Sequence, residues 1–158
     1  MNLTDTMSSD VTAEDIAEEL LYRTGNTLVA EDLGQVAQCF FVPQYIDTLL
    51  GSRLIETYES VVEALESVRQ YYRKNGVVDV VRTVVTAEFL DADTIGSTHV
   101  SRLIRSEGEL FRAPYPAYSI LRRFGDEWKI ASSSYAILDA PDHNRALNPG
   151  WDVTETKV

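Results

Sequence analysis

His99 is the residue of this 158-residue chain best placed to move a proton. It sits in Ile95-Gly96-Ser97-Thr98-His99-Val100-Ser101-Arg102-Leu103, a strand-like run in which alternate residues share a face, so Ile95, His99 and Leu103 point together. An imidazole turned inward among such neighbours is desolvated and can act as a general base or acid. A histidine bonded to a neighbour, or exposed at a subunit surface, fits the same spacing. Asp47, beside Ile46, Leu49 and Leu50, is the second catalytic candidate. Facing inward its carboxyl would hold its proton unusually tightly; facing outward it is an ordinary hairpin acid.

Around these two, Tyr22, Tyr71 and Tyr118 could line a pocket and donate hydroxyl hydrogen bonds, as could Tyr135; the same residues serve equally as core or interface tyrosines. Ser132 and Ser134 share strand parity with Trp128 and Ile130, whereas Ser133 points the other way. With no nucleophile-elbow motif around them, these serines suit ligand orientation rather than attack. Arg82, Arg102, Arg105, Arg122 and Arg123 dot the same region, and one turned inward, Arg102 for example, could hold a substrate carboxylate in a fork.

Other chemistries lack their residues. One Cys and two His, with His143 in the C-terminal stretch, do not make a zinc site of usual composition without carboxylates, so no metal and no cofactor is expected. Cys39, next to Phe40 and Phe41, reads as a small apolar residue. No phosphate-binding Gly-Lys loop, dinucleotide glycine pattern or Cys-x-x-Cys pair occurs. Asp and Glu number 25 against 14 Lys and Arg, a formal charge of -11 that repels a phosphate backbone, so nucleic acid is not an expected partner. No apolar run approaches the ~18 residues of a membrane span, and Met1 to Asp10 lacks the basic and apolar regions of a signal peptide. A cytoplasmic setting is expected.

The scaffold that must position these residues is legible in the periodicity. With 44 % apolar residues, the chain can bury roughly two-thirds of its unfolded surface in one domain. Residues 1–11 read as a tail, 12–138 as the domain, and 139–158, with Pro141, Pro149 and Gly150, as a second tail that docks by Leu147 and Trp151. Thr12 offers an N-cap to a helix whose stripe is Ala13, Ile16, Ala17, Leu20, Leu21 and Thr24. A short second helix follows Glu31-Asp32 through Phe40 until Pro43 stops it. Tyr45 to Leu50 and Arg53 to Tyr58 read as a hairpin turning at Gly51-Ser52, and Ser60 to Glu63 as a capping box for a helix that ends at Asn75-Gly76. From Val77 to about Ile137 the period becomes two, with breaks near residues 91–93, 107–109 and 125–127, which predicts a four-strand antiparallel meander. Strands such as Val80-Val81-Arg82-Thr83-Val84-Val85 are apolar on both faces, so a homodimer through the sheet is expected.

This order resembles the nuclear-transport-factor-two-like superfamily, SnoaL-like branch. Ala30-Glu31-Asp32-Leu33 through Phe40 is similar to its second helix, Gly51 stands at its first hairpin turn, and Gly125-Asp126-Glu127-Trp128-Lys129-Ile130 resembles the entry to its last strand. The resemblance implies an α+β fold, a cone-shaped, curved antiparallel sheet wrapped around three helices from the N-terminal half, with ligands bound at the wide end of the cone. Anchored on Asp32 and Gly51, the ketosteroid-isomerase pattern of that superfamily puts its oxyanion-hole tyrosine at Thr24 and its base at Thr48, and neither residue can do those jobs. Tyr22 and Asp47 lie close by but out of phase. Two functions follow as expectations. One is a cofactor-free isomerase, dehydratase or cyclase that acts on a small apolar or aromatic molecule by proton transfer at His99; the other is a non-catalytic ligand-binding or dimerisation module.

Overall fold

The computed structural model describes residues 11–25, 27–138 and 140–147. Helix α1 (Ala13–Thr24) starts at a reciprocal capping box, in which Asp15 N donates to Thr12 Oγ1 at 3.1 Å and Thr12 N donates to Asp15 Oδ2 at 3.2 Å. Its buried residues, Ala13, Ala17, Leu20 and Thr24, form the expected stripe. Helix α2 (Leu33–Ala37), capped by Asp32, ends earlier than expected because Phe40 already opens strand β1 (Phe40–Thr48). Pro43 lies inside β1 and, lacking an N–H, falls where the pairing of that strand with the last strand shifts register between Phe40 and Tyr45.

Strand β2 (Gly51–Ile55) completes the first hairpin, and helix α3 (Tyr58–Lys74) follows. Its cap is Thr57, whose Oγ1 accepts from Ser60 N at 3.1 Å, so the helix begins before the Ser60 that was expected to cap it. It stops at Asn75 and Gly76, where φ of +75° suits glycine. Strands β3 (Val77–Asp91), β4 (Thr94–Arg105), β5 (Tyr115–Phe124) and β6 (Glu127–Tyr135) form the antiparallel meander. β1 then joins β6 in parallel, which gives one six-stranded sheet in the order β2-β1-β6-β5-β4-β3. The architecture is α+β, a curved sheet wrapped around α1, α2 and α3. Three register shifts interrupt β3 against β4, between Val77 and Asp79, Val84 and Thr86, and Phe89 and Asp91; such bulges bend a long strand.

The core gathers in three clusters. Ala13, Ala17 and Leu20 of α1 pack with Cys39, Ile95, Leu121 and Ile130. Leu28, Tyr72, Leu103, Tyr115, Ile137 and Leu147 form the second, and Ala37, Ile46, Ile55, Val61 and Ala64 the third. Leu147 belongs to helix α4 (Pro141–Leu147), which lies in the stretch expected to be a tail. The helix is held by Asn144 Nδ2 donating to Ile137 O at 3.0 Å and Ser67 Oγ donating to Ala146 O at 2.9 Å. Trp151, the other expected anchor, lies outside the described residues. Among the described residues no helix is long and apolar enough to cross a membrane.

Candidate functional site

The concave face of β4 consists of Ile95, Ser97, His99, Ser101 and Leu103, all buried. Strand pairing carries that face sideways, because directly opposed residues share a side of the sheet. On β3, Arg82 opposes Ser101 and Val84 opposes His99; on β5, Tyr115 opposes Ser101 and Ser119 opposes Ser97; on β6, Ser133 opposes Ser119 and Tyr135 opposes Ala117. Helices α1, α3 and α4 close over these residues with Thr24, Leu65, Val68, Tyr72 and Leu147, leaving a cavity of ≈ 90 Å³. A second space of ≈ 30 Å³ shares Phe40, Arg82, His99 and Tyr135 with it. Outside, a groove of ≈ 430 Å³ between α1 and β3 shares Gly25, Val80 and Arg82 with the larger cavity. Arg82 therefore stands between the groove and the interior.

The Arg82 side chain is tied to the end of α1, where Nη2 donates to Leu21 O at 2.8 Å and to Thr24 Oγ1 at 2.7 Å. Thr24 Oγ1 in turn donates to Leu20 O at 2.7 Å. The ion pairs among the described residues join Glu66 to Arg69, Arg105 to Glu109 and Asp93 to Arg123, so none reaches Arg82. Burial lowers the guanidinium's pKa, opposed by the hydroxyls of Tyr135, Tyr115 and Tyr72, and it remains a cation at any physiological pH. Burial and, next, the Arg82 charge push His99 down to about 4 from 6.5, so its ring is neutral at pH 7 and offers one acceptor and one donor.

Three tyrosines complete the polar wall. Tyr72 OH is 3.1 Å from Tyr115 OH and 3.1 Å from His143 Nε2, and Ser119 Oγ is 3.3 Å from Ser133 Oγ. Burial raises the pKa of Tyr72, Tyr115 and Tyr135, so all three stay protonated and act as neutral donors or acceptors. His143, on the inner side of α4, is fully buried and stacked on Tyr71 at 5.1 Å between ring centroids, and burial also lowers it to about 4. Among the described residues no three His, Cys, Asp or Glu side chains gather into a group that could hold a metal ion.

The remaining sequence candidates lie elsewhere. Asp47 is on the convex face, opposite Ser52 and Ser134, and its Oδ1 accepts from Ser52 Oγ at 2.6 Å; it is therefore separated from His99 by the thickness of the sheet. Tyr118 pairs with Ser134, so both share that outer face, and Ser132, opposite Ile120 and Tyr45, joins them. The parity that put Ser132 and Ser134 with Ile130 breaks at Ala131. Ile130 opposes Leu121 whereas Ser132 opposes Ile120, so Ala131 is an extra residue that flips the rest of β6 and turns Ser133 inward. Tyr22 is 84 % exposed at the rim of the groove. Tyr71 lies under α4, accepting from Arg112 Nη2 at 2.8 Å and donating to Asp142 Oδ2 at 3.0 Å. Arg102 is exposed opposite Val81, whereas Arg82 faces inward. The signal for Arg82 was present in Val80-Val81-Arg82-Thr83-Val84, where both residues two positions away are valine. His143 had no such signal, because the short α4 lacks a sustained apolar period.

No protein-family model matches the chain, and no curated protein matches it in sequence. Solved structures do match. A nuclear-transport-factor-2-like protein with a cystatin-like fold from Novosphingobium aromaticivorans superposes with a TM-score of 0.64 at 16 % identity, covering 93 % of this chain and 95 % of that one. A nuclear-transport-factor-2-like protein of unknown function from Shewanella oneidensis gives 0.61 at 14 % identity, over 78 % of this chain and 98 % of its own. Rv3472(D26N), a protein of unknown function from Mycobacterium tuberculosis, gives 0.60 at 14 % identity, over 93 % and 89 %. At these identities the likeness is one of architecture, and a curved sheet closed over three helices around a polar-walled interior is the nuclear-transport-factor-2-like, cystatin-like fold.

Proposed function

We propose that this chain is a SnoaL-like binding domain that takes a small organic molecule into the cavity between the concave sheet and helices α1 and α3. The observation that carries the reading is His99: 4 % exposed, neutral, and lining both interior spaces, with its ring making no hydrogen bond to a described residue. Buried polar groups in folded proteins are almost always bonded, so a ring left open to a cavity takes its partner from whatever occupies it. Phe40, Leu65, Val68 and Leu147 supply the apolar part of the wall.

Binding is favoured over turnover by proton transfer. A base whose conjugate acid has a pKa of about 4 removes only rather acidic protons, and Asp47, the second expected catalytic group, faces away. A thermal-shift screen of small apolar and aromatic compounds tests the reading. Hits should stabilise the wild type and lose most of that effect in His99→Leu, while equal stabilisation of both proteins would place the bound molecule elsewhere. An enzyme would in addition turn a hit over, with the rate lost in His99→Leu. Dimerisation through the convex face, which exposes Tyr45, Leu54, Val81 and Tyr118, and a cytoplasmic setting belong to the same proposal. Sedimentation as a monomer at micromolar concentration would remove the dimer.

A further inference from the structure

We infer that the molecule bound in this interior is a small monocarboxylate, with its anionic head on Arg82 and its hydrocarbon part against Phe40, Leu65, Val68 and Leu147. The inference rests on the binding proposed above and adds the chemical class of the ligand. Arg82 is a part-buried cation with no ion-pair partner among the described residues, in a chain whose formal charge is -11. Among the described residues no Asp or Glu lines either of the two interior spaces that Arg82 borders. A guanidinium with no ion pair to an acid among the described residues has its charge free for a ligand.

The donors fit that charge. Both hydrogens of Nη2 are taken by Leu21 and Thr24, so the three remaining N–H groups of Arg82 sit on Nη1 and Nε. With Nη2 occupied, the two-pronged fork is unavailable. One carboxylate oxygen takes Nη1, and the other must find a neutral donor from the Tyr72, Tyr115, Tyr135 and Ser101 hydroxyls on the same wall. The neutral His99 imidazole adds a further donor. A single cation and a space of ≈ 90 Å³ favour one negative charge on a short chain, below the ≈ 300–1,000 Å³ of drug-sized pockets. An acid with a longer tail would have to lead it past Arg82 into the groove, along Leu21 and Val80.

The discriminating comparison needs no variant. Butyrate and butyramide have nearly the same shape and differ in charge, so isothermal titration of the wild-type protein with each, at pH 7.5 and matched ionic strength in chloride, reads the carboxylate's contribution. Butyrate should bind saturably and at least tenfold more tightly than the amide, and inorganic phosphate, with its greater charge, should bind more weakly than butyrate. Arg82→Met should abolish the difference between acid and amide. If that variant does not fold, Arg82→Lys keeps the charge and should retain a preference for the acid. Equal binding of acid and amide overturns the carboxylate while leaving interior binding intact. So does finding neutral compounds among the thermal-shift hits with no response to butyrate. If neither the screen nor the titration shows any binding, both proposals fall.

Discussion

Taking this protein from pH 7.5 to pH 4.5 should remove several kcal/mol of its stability through two histidines. His99 is 4 % exposed and His143 0 %. Both are held to about 4 from 6.5, by burial first, then by Arg82 beside His99 and Arg112 beside His143, with Asp142 opposing at the latter. In the unfolded chain each returns to ~6.5, so between pH 6.5 and 4 the unfolded state binds protons that the folded state refuses. Stability therefore rises with pH through that window and is lost as the pH falls. At ~1.4 kcal/mol per pH unit, each histidine can contribute about 3 kcal/mol, a large share of the 5–15 kcal/mol that holds a typical domain together. His143 has an escape: releasing α4 hydrates the ring, so its penalty cannot exceed the docking energy of that helix. His99 stands mid-sheet and can be hydrated only through the cavity. Urea unfolding followed by far-ultraviolet circular dichroism every half pH unit would read the slope in the wild type, His99→Gln and His143→Gln. Each variant should flatten the slope between pH 6 and 4.5 by up to ~1.4 kcal/mol per unit. Glu66, Asp91 and Asp142, whose pKa values are lowered, act with the same sign but below that window. Variants as steeply pH-dependent as the wild type would show that neither ring is held neutral by burial.

Three further outcomes follow from the packing. Thr12→Ala removes the acceptor for Asp15 N and should lower stability by about 1 kcal/mol in the same urea assay. Leu103→Ala opens a hole beside Tyr72 and Tyr115 and should cost about 2–5 kcal/mol, whereas a loss below 1 kcal/mol would mean that the interior collapses to fill it. Cys39 is 3 % exposed with its thiol pKa raised by burial, so its labelling by an aromatic disulfide reagent at pH 8 should be slow in the native protein and immediate in urea; fast native labelling would contradict the burial.

The sequence was most readable where one periodicity ran unbroken. The Ile95 to Leu103 run gave the correct inward face of β4 because no bulge intervenes there, and the α1 stripe followed from its spacing alone. It misled where a single residue changed the phase. Ala131 sent Ser132 outward and Ser133 inward, and no local composition marks that residue as a bulge. The orientation of Asp47 was likewise undecided until β1 was seen to pair with β6 from the other side, a long-range parallel contact that local pattern does not encode. α3 began at Thr57 instead of Ser60 because both can cap and the earlier one captures an additional turn. α4 and its histidine were missed because seven residues carry too little apolar period to announce a helix that tertiary packing supports.

The three irregularities in β3 have a bearing on solubility. β3 is an outermost strand of the sheet, fifteen residues long, and it presents Val78, Val81, Val85 and Phe89 to solvent. An unbroken ribbon of that length and character would be a template for extended chains from other molecules. Displaced amides near residues 78, 85 and 90 cut the free rim into segments too short to recruit a stranger along its whole length. The distortions that curl the hairpin over α1 thus also guard it against fibril-like growth.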